Sequence, residues 1–373
     1  MRILLAGGGT AGHINPALAI AGYVREKEPG AEILYVGAKG GMEERLVSQA
    51  GYNIKTIEIS GFQRKLNFNA LKKNLKTLNL IFKSSKESKK IIKEFKPDIC
   101  IGTGGYVSGP VIKTAQKMKI KTLIHEQNAY PGVTNKMLSK KADKVMLAVE
   151  DAKKHMNLNC NFEVTGNPVR GEIIKTEKES ARKKLGLDER PVILSFGGSL
   201  GARAINEAVL ELLIDTSKTD KYQHIHAYGK YGKWILDKLR DNGVKLKEHK
   251  NLDIREYIDN MPECLAAADV VICRAGAITI SELQVKGKAA ILIPSPNVAE
   301  NHQYHNAMAL VNRNAAQIIE EKNLNGKYLI KVVKQVLEDK DKLKNYEKNI
   351  KAMAITDSNK RIYRIIKETL AND

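Results

Sequence analysis

Twice in this chain an apolar strand breaks into glycines and restarts at once as a helix. The first instance runs from residues 3–6 through Gly7-Gly8-Gly9-Thr10-Ala11-Gly12-His13. The second runs from residues 192–196 through Gly197-Gly198-Ser199-Leu200-Gly201-Ala202 into a helical stretch over 204–209. Such a junction leaves several backbone N–H groups without helical partners, aimed into one small space, where the helix dipole adds partial positive charge. A phosphate or pyrophosphate fits there without any lysine. The glycines let the backbone approach an anion closely, and Ser199 can add a hydroxyl donor. One such loop is as readily an ordinary tight turn. Two of them, each after the first strand of a half-chain, constrain the fold to a pair of Rossmann-like units with ligands at the strand C-termini.

A chain of 373 residues is too long for one ordinary core and predicts two domains. In both halves strands alternate with helical stretches and turn punctuation, the pattern of parallel α/β sheets. The expected division is 1–163, 164–345, and a terminal helix over 346–373 that returns to the first domain. Formal net charge is +20, from 62 Lys+Arg against 42 Asp+Glu, which favours anionic partners: nucleic acid, phosphorylated substrates or an anionic membrane. Lysine dominates the composition, so part of this excess is compositional. The four cysteines, Cys100, Cys160, Cys264 and Cys273, show neither CxxC spacing nor a disulfide framework and read as cytosolic thiols. No run approaches the roughly 20 apolar residues of a spanning helix, so any membrane contact is expected to be peripheral.

Gly7, Gly9 and Gly12 match the GxGxxG dinucleotide fingerprint, but the second strand ends in Gly37-Ala38-Lys39-Gly40 rather than in a ribose-binding acid. A nicotinamide cofactor is therefore unsupported. His13 stands at the mouth of a helix beside these glycines, and Pro16 is placed in that helix's first turn. Gly104-Gly105-Tyr106-Val107-Ser108-Gly109-Pro110 reads as the loop after a strand over 98–102, and His125-Glu126-Gln127-Asn128 closes the next strand. All would project from one sheet edge. Between Phe68 and Phe95, Leu71, Leu75, Leu78 and Phe82 fall on one helical stripe flanked by Lys72, Lys76, Lys83, Lys86 and Lys90. Lysines around an apolar patch are the pattern of an interfacial membrane site, and equally of a helix burying its stripe while the lysines stay wet. Asp339-Lys340-Asp341 lies in a lysine-rich helical run and reads as a solvated face, with no metal site expected.

Several of these motifs, in order, resemble the MurG family, the bacterial N-acetylglucosaminyltransferases of peptidoglycan synthesis. They are Gly8 to His13, Gly104 to Pro110, His125 to Asn128, Gly166-Asn167-Pro168-Val169-Arg170, Gly197 to Ala202, Arg274-Ala275-Gly276-Ala277 and Gln303-Tyr304-His305-Asn306-Ala307. Ala11 departs from the glycine common in the family, a change tolerated where φ is negative. The resemblance implies the glycosyltransferase B fold, two Rossmann-like domains facing across a cleft. It implies transfer of GlcNAc from UDP-GlcNAc to the muramyl 4-hydroxyl of undecaprenyl-pyrophosphoryl-MurNAc-pentapeptide (lipid I), giving lipid II with inversion. No cofactor and no nucleic-acid partner are implied. The enzyme would sit peripherally on the anionic cytoplasmic face of the cell membrane. Family roles place the diphosphate on Ser199 and its loop, uracil on the backbone of Ile258, the ribose on Glu282 and the sugar on Gln303. Thr10, Ala11, Gly12, Asn128 and Arg170 would also line the donor site. The acceptor hydroxyl needs a base near neutral pH, for which His13 is suited, with Glu126 as its rival.

Other classes make different demands. A nicotinamide oxidoreductase would leave the second glycine loop and Glu282 unexplained. A sugar-nucleotide 2-epimerase would need no lipid acceptor. A non-catalytic nucleotide-sugar binder would leave His13 and Glu126 without a task.

Overall fold

The computed structural model describes residues 1–60, 68–157, 159–298 and 301–371, and for 68–79 and 81 the backbone alone. It divides into two compact units, Met1–Val169 with Asp357–Asp373, and Arg170–Thr356. The first holds seven parallel strands: β1 (Arg2–Gly7), β2 (Glu32–Ala38), β3 (Asn53–Ile57), β4 (Ile99–Gly104), β5 (Lys121–Glu126), β6 (Lys144–Leu147) and β7 (Phe162–Val164). Their order in the sheet is β3-β2-β1-β4-β5-β6-β7. The second holds β8 (Val192–Phe196), β9 (Gln223–Ala227), β10 (Leu252–Arg255), β11 (Val270–Cys273), β12 (Ala289–Leu292) and β13 (Gln317–Ile318), ordered β10-β9-β8-β11-β12-β13. Both sheets are the doubly wound arrangement that the alternating pattern predicts. The order reverses between β1 and β4, and again between β8 and β11. In open α/β sheets ligands bind outside the strand C-termini at such switch points.

The strands read as near-continuous apolar runs because helices cover both faces. On one face of the first sheet, Val107, Val111, Ile112 and Leu138 pack with Ile92 over Leu4, Cys100 and Ile124. On the other, Ile14, Ala17, Ile20 and Val24 pack with Ile362, Ile365 and Ile366 over Ile3, Leu5 and Ile101. In the second unit Ile205, Val209, Leu212, Leu329 and Val333 close over Ile193, Ile272 and Ile291.

The structure moves both expected unit boundaries. The first unit runs to Val169 rather than 163, because the amides of Thr165 and Gly166 still bond the Leu147 carbonyl at the end of β6. The segment 346–373 is not one returning helix. The helix Lys340–Ala352 stays in the second unit, burying Tyr346 and Ile350, and only the part from Asp357 belongs to the first. Its helix Ser358–Ala371 fastens the end of the first sheet: Asn359 Nδ2 donates to Val169 O at 2.8 Å and Arg361 to Val164 O at 3.3 Å. Two helices also begin earlier than expected. The helix Ala11–Lys27 contains Pro16, and Gly105–Lys117 contains Pro110, so the expected loop 104–110 shrinks to its first residue. Pro16 deprives the Gly12 carbonyl of an amide partner, but Gly12 is exposed and water can replace it.

Candidate active site

At the switch point of the first unit the loops after β1 and β4 interlock. Gly7 and Gly104 are register partners. Gly104 and Gly105 have φ of +100° and +76°, and a Cβ on Gly105 would lie 2.0 Å from the Gly8 carbonyl oxygen. Both positions therefore demand glycine, for conformation and for space. Ser108 Oγ donates to Ala6 O at 2.6 Å, and Thr103 Oγ1 donates to His13 O at 2.7 Å. Thr10 takes the N-cap position, and Ala11 begins the helix outside the left-handed region, so its extra methyl is accommodated.

The His13 ring lies against this glycine pair; a Cβ on Gly104 would come within 2.9 Å of its Nδ1. That nitrogen is 3.1 Å from the Thr103 carbonyl oxygen and 3.3 Å from Gln127 Oε1. A carbonyl oxygen only accepts, so Nδ1 carries the hydrogen and the neutral ring keeps its lone pair on Nε2. His13 is half-buried, within reach of solvent and ligand.

Glu126, the rival base, is placed differently. It ends β5 with 1% of its surface exposed. Oε1 accepts from the backbone N–H and Nδ2 of Asn128 at 2.9 and 3.1 Å. Oε2 accepts from Gly132 N–H at 3.1 Å and Asn135 Nδ2 at 2.9 Å. Four donors hold the carboxylate in place and tie down the loop that carries Asn128.

The second unit presents the other glycine loop. Gly198 and Gly201 have φ of +96° and +82°. Gly201 N–H donates to Gly198 O at 2.9 Å, while Lys230 and Tyr231 N–H brace the carbonyls of Ser199 and Leu200 at 3.1 and 3.2 Å. The loop is thus held from outside, with Ser199 exposed at its crest and the 17-residue helix Arg203–Thr219 behind it. Glu282 sits on the second turn of Ala277–Lys286, the helix that follows β11, next to β8 in the sheet. Its side chain is 14% exposed, with Arg170 Nη2 4.0 Å from Oε1. Burial pushes its carboxyl from 4.5 up to about 7, and Arg170 pulls the other way. Gln303, after β12, accepts from Ser295 N–H through Oε1 at 2.9 Å, which turns its amide NH2 into the available donor. Ile258, after β10, is buried to 3% and anchors its own backbone.

Each unit therefore gathers its own share of the expected residues on one sheet edge. Thr10, Ala11, Gly12, His13, Glu126 and Asn128 fall in the first unit, and Arg170, Ser199, Ile258, Glu282 and Gln303 in the second. Arg274 is a strap: it bonds the carbonyls of Ile293 and Pro294 at 3.2 Å and pairs with Glu321. Asp339 caps the helix Lys340–Ala352 by accepting from Lys342 N–H at 2.9 Å, a structural use for that acid.

The chain matches the family model of the glycosyltransferase family 28 N-terminal domain over residues 3–147 and that of the C-terminal domain over 192–362. It belongs to glycosyltransferase family 28. A family relative from Acetivibrio thermocellus is 45% identical over 377 residues, covering 100% of this chain and 99% of its own. That relative is named UDP-N-acetylglucosamine–N-acetylmuramyl-(pentapeptide) pyrophosphoryl-undecaprenol N-acetylglucosamine transferase. Among solved structures, Acinetobacter baumannii MurG superposes with a TM-score of 0.75 at 26% identity, over 98% of this chain and 99% of that one. S. aureus MnaA bound to UDP shares the fold, with a TM-score of 0.69 at 15% identity over 99% of this chain and 97% of that one.

Reading this family-28 sequence alone misses Gln127, Thr103 and Asn135, which orient His13 and Glu126. Only one signal was available. His125 and Gln127 lie two residues apart at a strand end and so share a face, an odd place for two polar side chains unless they are bonded.

Proposed function

We infer that this protein transfers N-acetylglucosamine from UDP-GlcNAc to the muramyl 4-hydroxyl of lipid I, giving lipid II in peptidoglycan synthesis. The observation that carries this is the full-length 45% identity to a transferase of that name, within family 28. In the proposed chemistry, His13 Nε2 takes the hydroxyl proton as the muramyl oxygen attacks the anomeric carbon. The bond from that carbon to the UDP oxygen breaks on the opposite face, and the configuration inverts. Charge grows on the departing diphosphate, where the N–H groups of the Gly197 to Ala202 loop and the helix behind it stabilise it. Glu282 accepts the ribose hydroxyls, Gln303 donates to the sugar, and the Ile258 backbone reads the uracil. Thr10, Ala11, Gly12, Asn128 and Arg170 complete the donor surroundings. Glu126 serves as the brace of the Asn128 loop, because all its strong acceptor directions are occupied.

The proposed location is the cytoplasmic face of the membrane, where the lipid carrier is confined. Among the described residues no helix is long and apolar enough to cross a membrane. Support for docking comes from apolar side chains exposed on the first unit: Phe82 at 67%, Val133 at 74% and Met137 at 48%. Lys86 lies 4.7 Å over the Phe82 ring, and Lys136, Lys140 and Lys141 accompany Val133 and Met137 in the chain. Of the other members of the expected stripe and its flank, Leu71, Leu75, Leu78, Lys72 and Lys76 have side chains outside the described residues, while Lys83 pairs with Glu58 and Lys90 with Glu94.

The decisive experiment is a transfer assay with labelled UDP-GlcNAc and a short-chain lipid I analogue. Label should move to the disaccharide product in the β configuration. Hydrolysis or epimerisation of UDP-GlcNAc without transfer would refute the reading.

A further inference from the structure

A chain of hydrogen bonds runs from a backbone carbonyl to His13, and its direction is fixed at the far end. His125, fully buried, has Nε2 3.0 Å from the carbonyl oxygen of Gly166. That oxygen only accepts, so His125 Nε2 carries hydrogen and Nδ1 holds the lone pair. Gln127 Nε2 lies 3.2 Å from that Nδ1, 3.0 Å from His125 O and 2.8 Å from Thr103 O. Every one of these partners accepts. Turning the amide over would set Oε1 against two carbonyl oxygens in a site 3% exposed, an arrangement with no hydrogen to share. Oε1 is thereby held toward His13 Nδ1, at 3.3 Å. The Gln127 backbone is pinned too, its carbonyl accepting from Asn167 Nδ2 at 3.2 Å.

We propose that Gln127 is a positioning residue that, backed by His125 and Gly166, fixes the hydrogen of His13 on Nδ1 and so leaves Nε2 as the proton acceptor. This rests on His13 being the base. A free histidine side chain prefers its hydrogen on Nε2, the arrangement that cannot take a proton there, so the useful tautomer needs an acceptor at Nδ1. Holding a catalytic histidine in the right tautomer is worth orders of magnitude in rate in other enzymes. Here the acceptors are neutral: the Thr103 carbonyl and the Gln127 amide. They orient the ring without adding a buried charge beside the incoming acceptor. His125 can serve as a fixed link because burial pulls its pKa from 6.5 down to about 4, which keeps it neutral through the physiological range.

The test uses the full-length protein labelled with 15N-histidine, with the His13 signal assigned from its loss in His13→Ala. In the wild type, His13 should show the Nδ1–H tautomer. Gln127→Met keeps the length and removes both hydrogen-bonding ends; population should move toward Nε2–H. Its kcat should fall by about ten- to a hundred-fold, less than loss of the base because Thr103 O remains, with KM for UDP-GlcNAc within about twofold. Gln127→Glu, protonated so that one oxygen donates to the Thr103 carbonyl while the other accepts from Nδ1, should retain more of kcat than Gln127→Met. A wild-type His13 in the Nε2–H form overturns the proposal whatever the variants do. So does a Gln127→Met enzyme with unchanged tautomer and kcat. Failure of the underlying reading looks different: His13→Ala would keep near-normal kcat while the tautomer still answered to residue 127.

Discussion

Replacing Glu282 by glutamine should strengthen the fold and weaken the function, and both effects have sizes. The carboxyl is 14% exposed, and burial raises its pKa from 4.5 to about 7. A carboxyl raised in the folded state contributes its full stability below its unfolded pKa and loses it as pH rises through the folded value. Ionised at pH 8, Glu282 therefore costs the fold up to about 3 kcal/mol, at roughly 1.4 kcal/mol per pKa unit. Glutamine has the same shape and no charge to bury. Glu282→Gln should raise the unfolding midpoint of the second unit by several degrees at pH 8 and hardly at all at pH 4.5. Nucleotide binding should respond in the opposite sense. If the ionised carboxylate accepts the ribose hydroxyls, its population falls from about nine-tenths at pH 8 to about one-tenth at pH 6, and affinity falls about tenfold with it. UDP-GlcNAc is the probe to use, since its diphosphate has no proton that titrates in that window. In Glu282→Gln, calorimetry should find affinity independent of pH and ten- to a hundred-fold weaker at pH 8, roughly the loss of a charged acceptor. A wild-type affinity flat between pH 6 and 8 would refute the ionisation argument, and a variant less stable at pH 8 would refute the burial argument.

If backbone donors of the Gly197 loop meet the diphosphate, transfer should survive EDTA to within a few-fold; complete loss restored by magnesium or manganese would contradict that assignment. The protein should co-sediment with anionic vesicles. Phe82→Ser with Val133→Ser and Met137→Ser should lower binding at every salt concentration, whereas Lys86→Gln with Lys140→Gln and Lys141→Gln should remove mainly the salt-sensitive part. Wild-type binding in both sets would put the docking surface elsewhere. Acid should unfold the protein early. His226 and His125 are pushed by burial from 6.5 to about 4, and His224, sharing Ser195 Oγ with His226, well below its usual value. Stability present above pH ~6.5 is lost as pH falls toward ~4, by up to about 3 kcal/mol for each of His125 and His226. Denaturant unfolding at pH 7.5 and 5 that gave equal stabilities would refute it.

The two sheets were legible because parallel strands buried on both faces leave uninterrupted apolar runs, and glycines mark where β1 and β8 end. Helix starts were less legible. Pro16 reads as an opening signal and Pro110 as part of a loop, yet each is the sixth residue of its helix; the cost of Pro16 is lowered because the Gly12 carbonyl one turn back can reach water. Local chemistry pointed to His13, a histidine beside glycines, whereas the role of Glu282 followed only from the family resemblance. Neither could rank His13 against Glu126. That ranking depends on Asn128, Gly132 and Asn135 closing on one carboxylate, and on Thr103 lying against a ring 90 residues earlier in the chain. Such distances are invisible to periodicity, which reports faces and not partners.

The returning helix Ser358–Ala371 has a consequence for how the protein is made. Its Ile362, Ile365 and Ile366 complete the apolar layer on the Ile14 side of the first sheet. The ribosome delivers that layer only after the whole of Arg170–Thr356 has been synthesised. The unit begun first is therefore finished last, with Ile3, Leu5 and Ile101 lacking part of their cover while the second unit is already able to close. A chain cut after Thr356 would pair a complete Gly197 unit with an unfinished His13 unit.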